Sequence, residues 1–197
     1  MEEQKHIAHE KEKNSWSELI KFAVYAALIV IPLRLFIAEP FIVSGASMVP
    51  TFQNGQYLIV DELSYRLGDI NRGDVVVFHY PNDTKKYFIK RMIGLPGETV
   101  TINDSGVKIT NTAHPDGFML NEPYISSAPP HQDPIKVTLQ ADEYYVLGDN
   151  RPFSSDSRVW GTVPKKDLVG RTIIRLFPLN LISIFPGVHK YAEETQN

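Results

Sequence analysis

The hydrophobic pattern divides the chain into one long apolar run and a series of shorter alternating segments. Residues 19–38, "LIKFAVYAALIVIPLRLFIA", carry only two charges, Lys21 and Arg34, both toward the ends of the run. A helix of this length spans roughly 30 Å, one hydrocarbon core, and both cations can extend their charged ends toward opposite interfaces. The run therefore predicts one N-terminal transmembrane α-helix.

Beyond residue 39 the pattern changes to β-rich runs of period two, separated by turn residues. Eight runs fit strands: "QYLIVD" (56–61), "DVVVFHY" (74–80), "KYFIKRM" (86–92), "ETVTI" (98–102), "VKIT" (107–110), "KVTL" (136–139), "EYYVLGD" (143–149) and "RTIIRLF" (171–177). Turn sequences such as "NRGD" and "LPGE" punctuate them, and no long helical period follows the apolar run. The pattern predicts an all-β, mostly antiparallel, barrel-like domain.

The apolar run has a second interpretation as a cleaved signal peptide. In "VSGASMVPT" (43–51), Ser44 and Ala46 stand where the small residues of a cleavage site would lie. Such peptides usually take about 15–30 residues, whereas cleavage here would follow a much longer segment that Arg34 interrupts. The sequence therefore favours a retained anchor.

Flanking charges orient this anchor. Four lysines precede or begin it, whereas the next basic residue after Arg34 is Arg66. Basic residues are retained on the cytoplasmic side, so the N-terminus is predicted to be cytoplasmic. The predicted organisation is a cytoplasmic tail (1–18), the anchor (19–38), an extracytoplasmic β-rich domain (39–186) and a C-terminal tail (187–197).

Composition excludes several classes of function. The net charge is −3 and no basic cluster is present, so nucleic acid is not expected as a partner. The chain has no cysteine, which removes thiol nucleophiles and thiolate metal sites. No HExxH motif or His/carboxylate cluster indicates a metal, and no metal or other cofactor is expected.

Ser47 and Lys90 are the candidate nucleophile and base. No histidine stands in a nucleophile-like context, and the GxSxG pattern is missing. Strand alternation places one of Lys90 and Arg91 among apolar neighbours. A lysine among apolar side chains has a lowered pKa, so its neutral amine can accept a serine proton. Arginine cannot do this, because it stays protonated. From the residues alone, the competing interpretation of both cations as exposed edge-strand charges is favoured.

The stretch "GDNRPFSSDSRVWG" (148–161) packs many polar residues after a predicted strand. It fits either a solvated surface loop or a buried hydrogen-bond network that fixes a site, and its composition leaves both open.

Together these segments resemble type I signal peptidases, the membrane-anchored Ser/Lys proteases that remove signal peptides from exported proteins. Four blocks carry the resemblance in the family's order: "GASMVPT" (45–51), "RGDVVVF" (72–78), "IKRMIGLPGE" (89–98) and "GDNRPFSSDSRVWG" (148–161). The resemblance implies cleavage after Ala-x-Ala-like sites at the bacterial cell membrane, in a single-pass protein whose catalytic domain is extracytoplasmic. Its implied partners are exported preproteins and the lipid bilayer.

The resemblance also implies roles for single residues. Ser47 would be the nucleophile, Lys90 the general base, and Ser154 would orient the lysine through a hydrogen bond. Asp156 and Arg158 correspond to the family's structural ion pair. Asp149 and Arg151 would give further polar support to the site. The residues that correspond to the walls of the small S1 and S3 pockets are Phe41, Val43, Phe88 and Ile89.

One position departs from part of the family. Some members have an oxyanion-hole serine two residues before the nucleophile, where this chain has Gly45. The oxyanion is therefore expected to be held by the Ser47 N–H and a second group, for which the Gly45 N–H is a candidate.

Two further alternatives stay open at this point. The stretch "RTIIRLFPLNLISIFP" (171–186) fits either an apolar surface that touches the bilayer or a core strand with C-terminal packing. The alternative to a protease is a catalytically inactive membrane-anchored β-domain that binds partners. A self-cleaving Ser/Lys repressor is disfavoured because no helix-turn-helix precedes the domain.

Overall fold

The computed structural model describes residues 16–28, 30, 38–63, 68, 70–127 and 133–191. Internal contacts divide the chain into two units, Met1–Ala38 and Glu39–Asn197, which are treated separately. In the first unit, residues 16–28 form a helix, α1. No helix within the described ranges has the length and apolarity needed to cross a membrane. Residues 1–15 and 31–37 of the predicted tail and anchor lie outside those ranges, so the transmembrane helix is not confirmed and its orientation stays a prediction.

The second unit is built from strands. Those within the described residues are β1 (Ala38–Ile42), β2 (Tyr57–Asp61), β3 (Val75–Tyr80), β4 (Asp83–Gly94), β5 (Thr99–Asn103), β6 (Gly106–Thr110), β7 (Phe118–Met119), β8 (Ile135–Thr138), β9 (Glu143–Leu147), β10 (Val163–Pro164), β11 (Leu168–Phe177) and β12 (Ser183–Ile184). A one-turn helix, α2 (Ser157–Trp160), precedes β10. All eight predicted strands are present. Strand β1 was not predicted, and its first residue, Ala38, lies in the predicted anchor. The other unpredicted elements, β7, β10, β12 and α2, are too short to give a periodic signal.

The strands form two sheets. The larger has the order β1-β2-β11-β3-β4-β9-β10, with β12 paired to β11, and the smaller has the order β7-β6-β5-β8. Every strand pair whose register is defined is antiparallel. The all-β, antiparallel prediction is therefore confirmed. The barrel is not: among the described strands, the edge strands β1 and β10 do not pair, so the larger sheet stays open.

Alternate residues of the strands in the smaller sheet face an apolar core. On β5, Val100 and Ile102 are buried while their neighbours are partly exposed, and β6 repeats the pattern with Val107 and Ile109. Their inward faces pack with Tyr145 of β9 in one apolar cluster. The smaller sheet thus buries its inward face against the larger one, as period two predicts.

Strand β4 is central, and this corrects one interpretation of its two cations. It lies between β3 and β9, with Val76 opposite Lys90 and Leu147 opposite Arg91. Lys90 is 4% exposed and Arg91 is 1% exposed. Solvent-facing edge-strand charges are therefore excluded, and each cation is buried on its own side of the sheet.

The segment that begins at residue 187 also differs from the predicted tail. Gly187 accepts a hydrogen bond from Arg91 through its carbonyl, and Tyr191 is buried in the core. Residues 187–191 therefore belong to the packed domain, while residues 192–197 lie outside the described part of the chain.

Candidate active site

Ser47 lies in a tight turn between β1 and β2 that two buried apolar side chains hold in place. Met48 and Phe52 pack into the core with Val43, and the Phe52 N–H donates to the Met48 carbonyl at 2.8 Å. The Val49 N–H donates to the Ala46 carbonyl at 3.2 Å. Because the apolar neighbours anchor the turn, Ser47 is held half-buried at its apex.

The Lys90 amine lies against the Ser47 hydroxyl. Lys90 Nζ donates to Ser47 Oγ at 2.7 Å and to the Ile89 carbonyl at 2.9 Å. Nζ also lies 5.2 Å from the centre of the Phe88 ring. Ser47 and Lys90, separated by 43 positions in sequence, are thus brought within hydrogen-bond distance by β4 and the Ser47 turn.

Burial controls the protonation of this amine. Desolvation lowers the pKa of Lys90 to about 8, while the more distant Asp156 and Asp149 carboxylates raise it. A lysine with this pKa has a substantial neutral fraction near physiological pH, which is the state that can accept a proton.

Arg91, the next residue on β4, forms a buried ion pair with Asp149. Its Nε and Nη2 donate to the two carboxylate oxygens at 2.8 and 2.7 Å, and both side chains are 1% exposed. Thr51, in the Ser47 turn, donates its hydroxyl to the same carboxylate. Asp149 therefore ties β4 to the Ser47 turn.

Asn150 fixes the backbone on both sides of the apex of the Ser47 turn. Its N–H donates to the Ser47 carbonyl at 3.0 Å, and its Nδ2 donates to the Ala46 carbonyl at 3.0 Å. Sequence reasoning singled out neither Asn150 nor the structural use of Arg91. Asn150 stands inside the quoted polar block, whereas no local pattern indicates a pairing between Arg91 and Asp149.

The polar block forms a buried network, and its pairing is only partly as expected. Asp156 and Arg158 form the expected pair, with Arg158 Nε donating at 2.8 Å. Arg151 forms a buried ion pair with Glu122 and donates from Nε to the Gly148 carbonyl. Asp149 prefers Arg91 because the sheet brings that guanidinium into a bidentate arrangement.

Ser154 does not make the expected bond. Its Oγ is buried and finds no hydrogen-bond partner within the described residues, so the implied contact with Lys90 is absent in this structure. Ser154 lies instead beside Gly148: a Cβ built on Gly148 would be 2.1 Å from Ser154 Oγ and 2.5 Å from the Ser47 carbonyl oxygen. Glycine at position 148 is therefore required for the close approach of both serines.

The Gly45 N–H already has a hydrogen-bond acceptor. Its N–H donates to Asn54 Oδ1 at 3.0 Å, and its φ of 97° lies in the left-handed region that favours glycine. This N–H would have to change its acceptor before it could bind an oxyanion, which the sequence alone did not indicate.

Ser47 and Lys90 open into a cleft of about 490 Å³. The four residues expected as pocket walls, Phe41, Val43, Phe88 and Ile89, all line it. Among the lining residues that the sequence did not single out are Tyr87 and Phe153. Phe153 is 76% exposed at the rim, so an apolar ring faces solvent next to the polar block.

Comparisons with known proteins identify the family of this chain. Residues 16–177 match the family described as "Signal peptidase, peptidase S26". The chain is 41% identical to the probable signal peptidase I-2 of Synechocystis over 87% of this chain and 78% of that protein. It is 34% identical to signal peptidase I of Bacillus licheniformis over 87% of this chain and 94% of that protein.

A crystal structure of a signal peptidase I from Enterococcus faecalis aligns with 52% of this chain and 96% of that chain, at 31% identity and a TM-score of 0.45.

The chain is therefore a serine endopeptidase, a hydrolase of the class that removes signal peptides. It belongs to the signal peptidase I family, peptidase S26.

A methyl group at position 148 should displace the Ser47 turn. We expect Gly148→Ala to lower kcat/KM for a preprotein by about 100-fold, because a shift of about 1 Å at the reacting atoms has an effect of that order. The measurement is cleavage of a preprotein by the purified variant. Ser126→Ala, an exposed residue outside the cleft lining, is the control and should keep its activity. Normal cleavage by Gly148→Ala would contradict the close-approach argument.

Lys90 should destabilise the folded protein at neutral pH. Its folded pKa of about 8 lies below the ordinary lysine value, so the unfolded chain binds more protons between about pH 8 and 10, and stability rises with pH across that window. We expect Lys90→Met to raise the free energy of unfolding by roughly 2–3 kcal/mol at neutral pH, with the gain fading toward about pH 10.

Urea denaturation at both pH values measures this gain. Lys85→Met, on the exposed part of β4, is the matched control and should show no pH-dependent difference. A Lys90→Met protein that is less stable than the parent at neutral pH would refute the predicted cost of the buried amine.

Proposed function

We propose that Ser47 is the nucleophile and Lys90 the general base of signal-peptide cleavage in this chain. The observation that carries the proposal is the 2.7 Å contact between Ser47 Oγ and a buried lysine amine. The same contact allows the hydroxyl to donate to the amine once Lys90 is neutral. Because burial lowers the pKa of Lys90 to about 8, that state is accessible without histidine.

The proposed reaction has two stages. Ser47 Oγ attacks the carbonyl carbon of the scissile bond while its proton passes to Lys90 Nζ. The C–N bond then breaks, the leaving amine takes the proton from Lys90, and an acyl-enzyme ester remains. Water attacks this ester as Lys90 takes a proton from it. The bond between the acyl carbon and Ser47 Oγ then breaks, Lys90 returns the proton to Ser47 Oγ, and the signal peptide leaves with a new carboxylate.

Backbone amides are proposed to stabilise the negative oxygen of each tetrahedral intermediate. The Ser47 N–H has no hydrogen-bond partner among the residues that the structure describes, and it is the first proposed donor. The Gly45 N–H can serve as the second only after it leaves Asn54 Oδ1. In other serine proteases one such donor is worth about 2.7–4 kcal/mol.

The cleft walls favour small side chains before the scissile bond. Phe41, Phe88 and Ile89 are half-buried and Val43 is buried, so these apolar groups are packed rather than free to move aside. A large substrate side chain would have to displace them, which is costly in a packed interior. We therefore propose cleavage after Ala-x-Ala-like sequences.

Membrane attachment is also part of the proposal. Helix α1 exposes large apolar side chains, including Leu19, Ile20 and Phe22. The stretch 171–186 exposes another apolar set: Phe177, Leu179, Leu181, Ile182, Ile184 and Phe185. We name this second set the apolar strip. Both sets support contact with a bilayer, and the basic residues before α1 favour a cytoplasmic N-terminus with an extracytoplasmic catalytic domain.

An inactive partner-binding domain is the weaker alternative. A module that only binds partners does not require a buried lysine of lowered pKa in contact with a serine. The relatives also give that alternative no support.

Removal of the proposed nucleophile should abolish processing. We expect Ser47→Ala to cleave a preprotein at least about 10³-fold more slowly than the parent while keeping its urea midpoint, because only the attacking oxygen is lost. Ser105→Ala, an exposed serine in the turn after β5, is the control and should leave the rate unchanged. Parent-like cleavage by Ser47→Ala would refute the mechanism.

The pH dependence of kcat/KM tests Lys90 as the proposed base. Only neutral Lys90 accepts the Ser47 proton, so kcat/KM should rise about tenfold per pH unit below about pH 8 and level off above it. The measurement is initial rates of preprotein cleavage between about pH 6 and pH 10. A flat profile across that range would exclude Lys90 as the base even if Ser47 is the nucleophile.

A further inference from the structure

A second cavity, of about 500 Å³, lies against β11 and the segment 185–191. Its lining shares no residue with the cleft at Ser47. The side chains that bear on its chemistry are Arg72, Asp74, Arg171, Phe185, His189 and Lys190. Four basic side chains thus line the cavity together with the aromatic rings of Phe185 and Tyr191.

Arg171 is the unusual member of this lining. Its Nε is buried and has no hydrogen-bond partner in the described part of the chain. Its guanidinium carbon lies 5.3 Å from the centre of the Phe185 ring. A buried charged donor without an acceptor is costly, and an anion in the cavity would supply the missing acceptor.

The charge balance of the cavity also favours an anion. Arg72 is neutralised by a bidentate ion pair with Glu98, and His189 Nε2 is hydrogen-bonded to the Asn121 carbonyl. Asp74 contributes one buried carboxylate. Arg171 and exposed Lys190 form no ion pair with any described residue, although Asp61 of β2 stands opposite Arg171 in the strand register. Among the lining residues, these two cations face the single carboxylate of Asp74.

Phe185 connects the cavity to the apolar strip. Its φ of 48° lies in the left-handed region, which a bulky residue rarely adopts, and its N–H is held by the Ile173 carbonyl at 2.7 Å. Such strained residues cluster at functional sites. Ile184, its neighbour in the strip, is 73% exposed. Cationic side chains thus adjoin exposed apolar ones.

We propose that this cavity binds the anionic phosphate headgroup of a membrane phospholipid, with Arg171 and Lys190 contacting the phosphate and the apolar strip facing the acyl chains. The proposal rests on the bilayer contact described under the proposed function. A free phosphate would satisfy the two cations but gives no reason for the adjoining apolar strip. A phospholipid matches both, because it joins one phosphate to hydrocarbon.

Short-chain lipids test this with the full chain in a neutral detergent. The thermal midpoint is recorded while dihexanoyl phosphatidylglycerol, dihexanoyl phosphatidylcholine or inorganic phosphate is added, and each dissociation constant follows from the concentration dependence. We expect a clear rise with phosphatidylglycerol and a much smaller one with the other two. Arg171→Gln and Lys190→Gln should each weaken phosphatidylglycerol binding about fivefold.

Lys136→Gln, an exposed lysine on β8, is the matched control and should bind as the parent does. Because Lys190 is exposed, its variant tests the site even if Arg171→Gln fails to fold. Equal shifts with phosphatidylglycerol and phosphatidylcholine, or parent-like binding by Lys190→Gln, would overturn the proposal. An equal shift with inorganic phosphate would overturn the lipid assignment.

A lipid-free peptide assay separates this proposal from the catalytic one. Arg171→Gln and Lys190→Gln should cleave a soluble signal-peptide substrate in detergent at the parent rate, whereas Ser47→Ala should not cleave it. If the parent cleaves the peptide but does not prefer phosphatidylglycerol, only the headgroup site is refuted. If the parent does not cleave the peptide, only the catalytic proposal is refuted.

Discussion

The buried ion pair between Arg91 and Asp149 is the interaction on which the rest of the site depends. Arg91 also donates from Nη1 to the carbonyls of Gly73 and Gly187, while Asp149 accepts from Thr51 of the Ser47 turn. One guanidinium therefore joins β4, the start of β3, the polar block and the C-terminal segment. Loss of either partner would leave a buried charge uncompensated, which typically costs about 3–5 kcal/mol. Because Lys90 neighbours Arg91 on the same strand, the ion pair also fixes the position of the amine.

The same network explains how Lys90 keeps a low pKa close to two acidic residues. Asp149 and Asp156 both raise the pKa of Lys90, yet burial dominates and lowers it to about 8. Each carboxylate is engaged by an arginine, Asp149 by Arg91 and Asp156 by Arg158, and neither forms a direct ion pair with the lysine within the described chain. The arginines thus neutralise carboxylates that would otherwise hold the lysine protonated. Structural ion pairs and proton acceptance are in this way parts of one electrostatic arrangement.

The sequence predicted eight of the strands and their antiparallel class, because period two is a local signal. Ser47 and Lys90 were named as a pair through the family resemblance, since the residues alone favoured exposed charges on an edge strand. Sequence reasoning failed where the outcome depends on three-dimensional pairing. Arg91 and Asp149 stand 58 positions apart, and their attraction arises only when β4 meets the end of β9. The pairing of Arg151 with Glu122 across a loop is likewise not indicated by any local sequence pattern. The open sheet was missed because alternation predicts strands but does not show whether the last strand pairs with the first.

The C-terminal segment joins the two sites physically. Gly187 accepts from Arg91, and a Cβ built on it would lie 2.5 Å from Thr51 Cγ2, so the segment packs directly against the Ser47 turn. Phe185 and Lys190, which line the basic cavity, flank that glycine in sequence. Under the proposed headgroup binding, a ligand that orders residues 185–190 would stabilise the backbone that accepts from Arg91, and by linkage a well-formed Ser47 turn would favour that ligand equally. The proposed lipid contact and the geometry of Ser47 would then be coupled through the Arg91 guanidinium.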